Sequence, residues 1–61
     1  MTTLEKAEQP NEMRICFGEK MRTIPNVTEY GNDGVNMIVR TYDSEIVVNW
    51  SKVAWAEMKQ L

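Results

Sequence analysis

The chain has no histidine and one cysteine, Cys16, in 61 residues. Without imidazole it lacks the commonest general base near neutral pH, the usual activator of a Ser or Cys nucleophile, and the commonest metal ligand. A single thiol cannot close an intrachain disulfide. It also supplies only one of the about four Cys/His ligands that a structural zinc site needs. Small secreted domains normally carry disulfide staples, so the composition predicts a reducing, cytoplasmic setting. No apolar run approaches the about 18–20 residues of a membrane-spanning helix, and the polar stretch Met1–Glu12 has no apolar block of the leader type. A strong charge of either sign is missing too: seven Lys/Arg face nine Asp/Glu, for a net charge of -2. A nucleic-acid-binding domain normally shows a basic excess, and an acidic mimic of DNA would need many more carboxylates.

What remains is ordinary globular material, 43% hydrophobic and 26% charged. This length suits one domain and buries only about 60% of its unfolded surface. That leaves room for a core of about ten side chains, but hardly for an enclosed substrate cavity as well.

Residues 1–11 hold one large aliphatic side chain past the initiator, Leu4, and close on Pro10-Asn11. Such a segment predicts a flexible arm, with the folded domain over 12–61. Glu12 to Phe17 alternates, Met13, Ile15 and Phe17 against Arg14 and Cys16, which is a strand pattern. Met21 to Tyr30 is β-rich but carries Pro25, which has no ladder N–H, and so predicts an edge strand, a bulged strand or two short pieces. Gly31-Asn32-Asp33-Gly34 reads as the clearest break in the chain.

Val35–Tyr42 and Glu45–Trp50 give the strongest strand patterns, with Asp43-Ser44 as a two-residue turn. Counting outward pairs Tyr42 with Glu45, Thr41 with Ile46, Val39 with Val48 and Met37 with Trp50. Val39, Val48, Met37 and Trp50 then share an apolar face. The opposite face carries Ile38, Arg40, Tyr42 and Val47. It is too apolar for a plain solvent face, so it calls for a cover. The tail Ser51–Leu61 is rich in helix formers, and Trp50, Val53, Ala54, Met58 and Leu61 fall at helical spacing. It predicts a C-terminal helix. The competing reading is a final strand after a turn at Ser51-Lys52, because Val53 and Trp55 also alternate.

The expected fold is therefore a small, β-rich α+β domain: a three- to four-stranded antiparallel meander with a C-terminal helix. The alternative is an all-β small barrel with a final strand.

Three constellations in the sequence are candidates for chemistry. Cys16 lies inside a strand pattern without a base to activate it. Asp43 and Glu45 flank a hairpin tip, where turn chemistry accounts for the aspartate. The 31–34 segment lacks the spaced acidic ligands of a calcium loop and the Lys-Ser/Thr of a phosphate loop. By exclusion the sequence predicts a non-enzymatic protein-binding module with no cofactor, metal or small-molecule substrate. An inhibitor or accessory protein of the kind phages and mobile elements encode fits this size. The expected partner-binding residues are Ile38, Arg40, Tyr42 and Val47 on the mixed sheet face, with Trp55 as an aromatic anchor. The alternatives are a nucleic-acid-binding β domain using Arg14, Arg22 and Arg40, or a structural subunit of a homo-oligomer.

Overall fold

Alternating apolar and polar residues build seven strands, and the computed structural model describes all 61 residues. They are β1 (Thr3–Lys6), β2 (Asn11–Phe17), β3 (Lys20–Pro25), β4 (Glu29–Asn32), β5 (Asn36–Arg40), β6 (Glu45–Asn49) and β7 (Trp55–Gln60), with one 3₁₀ turn at Trp50–Lys52 before β7. Two antiparallel sheets form, in the orders β1-β4-β5-β6 and β3-β2-β7, and they do not close into a barrel. Met13, Ile15, Ile24, Val27, Met37 and Val39 make the core, with Phe17, Tyr30, Ile46, Val53 and Met58 packed against it. Each fully buried aliphatic side chain contributes about 1.5–3 kcal/mol.

The C-terminal helix is not formed. Asn49 accepts the Ser51 N–H at 2.9 Å and caps a single turn, which ends where Val53 N–H donates to the Trp50 carbonyl. The chain then extends as β7 and pairs with β2 from Asn11–Gln60 to Cys16–Trp55. The reason is non-local. A helix would satisfy its own backbone but leave one side of β2 unpaired, whereas a strand satisfies both. Met58 reaches the core by either route, and here it sits opposite Met13.

Residues 1–11, read from sequence as a flexible arm, carry β1, which pairs with β4 from Thr3–Asn32 to Lys6–Glu29. Gly31 makes this approach feasible. A Cβ at Gly31 would stand 1.8 Å from the Thr3 carbonyl oxygen and 2.9 Å from the Leu4 Cα. Gly31 and Asn32 therefore belong to β4, and the chain turns at 33–35. There the Asp33 carboxylate accepts the N–H groups of Asn36 (2.6 Å) and Val35 (2.9 Å), and Gly34 takes φ +94. These bonds, the Asn36 N–H first, hold the Asp33 carboxyl below its usual pKa.

The β5–β6 hairpin keeps the expected faces and shifts the register by two residues. Arg40 pairs with Glu45, Ile38 with Val47 and Met37 with Val48, around a four-residue loop 41–44. The Asp43 carboxylate collects the hydroxyls of Thr41 and Ser44, and Thr41 N–H donates to the Ser44 carbonyl. These bonds favour the longer loop over a two-residue turn. Side chains alternate with period two, so an even shift leaves the residues still paired in β5 and β6 on their predicted sides.

Pro25 sits at the end of the edge strand β3. The Asn26 N–H donates to the Asn11 carbonyl, so alternation turns the Pro25 position away from β2, where its missing N–H costs no ladder bond. Asn11 itself is fully buried. Its side chain accepts the Val27 N–H at 2.8 Å and donates to the carbonyls of Val27 (3.0 Å) and Glu8 (2.6 Å). It thus clamps the start of β2 to the β3–β4 connection.

Candidate functional site

The five residues singled out from sequence fall in three places. Ile38, Arg40 and Val47 share the outer face of the four-stranded sheet. There Leu4, Gly31, Ile38 and Val47 form one cross-strand row, and Lys6, Glu29, Arg40 and Glu45 form the next. Ile38 is only 6% exposed although it lies outside the core cluster, whereas Val47 is 54% exposed. Arg40 is bound to Glu45 at 3.2 Å and faces Glu29 at 3.9 Å. The polar row is therefore largely neutralised within the sheet, and the free apolar surface of this face comes down mainly to Val47.

Tyr42 projects from the tip of the 41–44 loop and is 85% exposed. It lines a shallow depression of about 340 Å³ shared with Arg22, Asn26, Asp43 and Ile46. Trp55 lies on the other sheet, on its outer face beside Cys16 and Met21 in one cross-strand row. The structure does not bring Trp55 together with the Ile38 face.

Trp55 instead borders a second surface, together with Trp50, Val53 and Met58. Between β7 and the inner side of the four-stranded sheet opens a groove of about 380 Å³. Tyr30, Met37 and Met58 line it, with Trp50 and Val53 among its other walls, and the outer-face residues Trp55 and Glu57 border it at the rim, Glu57 as its one polar lining residue. Trp50 and Trp55 are 42% and 44% exposed. The sequence pattern pairs Trp50 with Met37 on the apolar face. The two-residue register shift moves it beyond the end of β6, into the capped turn. The local signal for this was the Asn49-Trp50-Ser51 sequence, where an Asn precedes a turn it can cap.

No three Cys, Asp or Glu side chains come together in a way that would hold a metal ion. Cys16 is half-buried, and its thiol donates to the Gly18 carbonyl at 3.3 Å. Apart from Asp33, the one group with a clearly shifted pKa is Tyr30. The Glu5 carboxylate beside its hydroxyl, as a hydrogen-bond acceptor first and as a charge second, raises it above the ordinary phenol value. Glu5 and Tyr30 are direct partners in the β1–β4 register. Each shifted group thus has a structural partner that explains it.

Arg14 and Arg40 point from the outer faces of different sheets. Arg14 is tied to Glu12 at 3.1 Å and lies 3.9 Å from Glu57. Arg22, on the edge strand β3, makes no ion pair and borders the depression beside Tyr42. No helix is long and apolar enough to cross a membrane. No protein-family model, curated protein or solved structure matches the chain.

Proposed function

We propose that this chain is a small non-enzymatic protein-binding module, of inhibitor or accessory type, that acts in the cytoplasm. It seats an apolar segment of a protein partner in the groove between β7 and the four-stranded sheet. The observation that carries this reading is the groove itself: nine of its ten lining residues are apolar, Trp50 stands half-exposed in its wall, and Trp55, an outer-face residue of β7, is half-exposed at its rim. Part-exposed tryptophans around an apolar depression are the usual makeup of an interface hot spot. A catalytic reading has little to build on there. Glu57 is the only titratable carboxylate in the lining, and it sits at the exposed rim near Arg14. The nucleic-acid alternative needs its arginines gathered with exposed aromatics on one face, and Arg14, Arg22 and Arg40 are dispersed.

The test is capture by the immobilised chain, with and without nuclease, using wild type and Ala54→Arg. Ala54 is exposed in the groove wall, so the variant is expected to fold normally while filling the groove with a charged side chain. The expected result is stoichiometric capture of one protein by wild type, insensitive to nuclease and lost with Ala54→Arg. Capture that disappears with nuclease, or that survives Ala54→Arg unchanged, would contradict the reading.

A further inference from the structure

Strand β7 is the edge of its sheet, and the direction of its backbone follows from the ladder. Asn26 N–H donates to the Asn11 carbonyl, so the odd-numbered residues of β2 bond to the β3 side. Leu61 N–H donates to the Pro10 carbonyl, so the even-numbered ones bond to β7. Antiparallel pairs alternate in this way, which turns the backbone of Glu57 and Lys59 toward β2 and that of Ala56, Met58 and Gln60 outward. Those outward N–H and C=O groups have no partner in the chain. The edge has no Pro or Gly to blunt it, unlike β3 with Pro25.

From this geometry we infer that the β7 edge pairs with β7 of a second copy, antiparallel and centred on Met58. Charge complementarity in the strand's own sequence favours this register. With Met58 opposite Met58, Glu57 of each copy faces Lys59 of the other, twice, and Trp55 faces Leu61. Both pairs lie on the outer face, where Trp55 is 44% and Leu61 is 60% exposed. The neighbouring two-fold registers fail. A Glu57 centre sets glutamate against glutamate, and a Lys59 centre sets lysine against lysine. An Ala56 centre sets Trp55 against Glu57. In the Met58 register the charges also alternate across the joined sheets. Arg14 stands beside Glu57, Glu57 beside the second copy's Lys59, and that Lys59 beside its own Glu12. The exposed edge of β6 offers Val47 against Val47 but no charge pair to fix a register.

This pairing extends the interaction reading by naming one occupant of the β7 edge. Its test is sedimentation of the purified chain over a concentration series, with urea unfolding of each variant as a folding control. The wild type is expected to dimerise reversibly. Glu57→Lys and Lys59→Glu are each expected to weaken the dimer at least tenfold, because each turns two attractive pairs into two repulsive ones. An equimolar mixture of the two variants is expected to regain the wild-type association, since each introduced charge then faces its opposite. Ala56→Pro, which removes one outward N–H, is expected to abolish pairing without touching the bonds to β2. A wild type that stays monomeric up to about 1 mM overturns the pairing. So does a dimer indifferent to both charge variants, or one broken only by Val47→Lys. None of those outcomes decides the groove reading, which stands or falls on capture with Ala54→Arg.

Discussion

Asn11→Ala is expected to cost about 3–5 kcal/mol and to leave the domain barely folded at room temperature. The side chain is fully buried and makes three hydrogen bonds to backbone groups. Its loss strands the Val27 N–H, which has no other partner, at about 1–3 kcal/mol for the unsatisfied group. Two further bonds go at about 1 kcal/mol each. At about 0.05–0.15 kcal/mol per residue, a 61-residue domain holds only about 3–9 kcal/mol in total. Urea unfolding measures the loss, and hydrogen exchange locates it at the Val27 amide. A variant that unfolds within about 1 kcal/mol of wild type would show that water replaces the clamp.

Gly31→Ala is expected to detach β1 and cost about 2–3 kcal/mol, a large effect for one methyl group. The added Cβ meets backbone atoms, the Thr3 carbonyl and the Leu4 Cα, so no side-chain rotation relieves it and the strand must move. Detachment has a second signature. With β1 gone, Glu5 leaves the Tyr30 hydroxyl, and the raised pKa of Tyr30 falls back toward the ordinary phenol value. Absorbance titration in a Tyr42→Phe background reads Tyr30 alone. Fast amide exchange over Thr3–Lys6 together with a lowered Tyr30 pKa is the expected pair of results. An unchanged titration curve would mean that β4 yields and β1 stays in place.

The strands written into local alternation were legible in the sequence: β2, β5 and β6 appear where period two placed them. The hairpin register moved by two because Asp43 gathers the hydroxyls of Thr41 and Ser44, a detail that pattern counting does not weigh. The tail misled because helix propensity is local and the demand for β7 is not. Nothing within Ser51–Leu61 reports that one side of β2, some 40 residues earlier, would otherwise lack partners. The same holds for Asn11, whose importance lies in Val27, 16 residues on. At the candidate site, the shared face of Ile38, Arg40 and Val47 could be read from alternation, and it survived the register shift. That Trp55 belongs with Trp50, Val53 and Met58 could not, because the groove exists only once two sheets face each other.

Trp55 is expected to serve a partner more than it serves the fold, and Trp55→Ala tests this most directly. Urea unfolding and association, by sedimentation and by capture, are measured on the same preparation. A half-exposed side chain on an outer sheet face is expected to cost folding about 1 kcal/mol or less. Its loss from an interface is expected to weaken association by about tenfold or more. That split is the predicted result. Equal losses in folding and association would make Trp55 a packing residue and contradict the account.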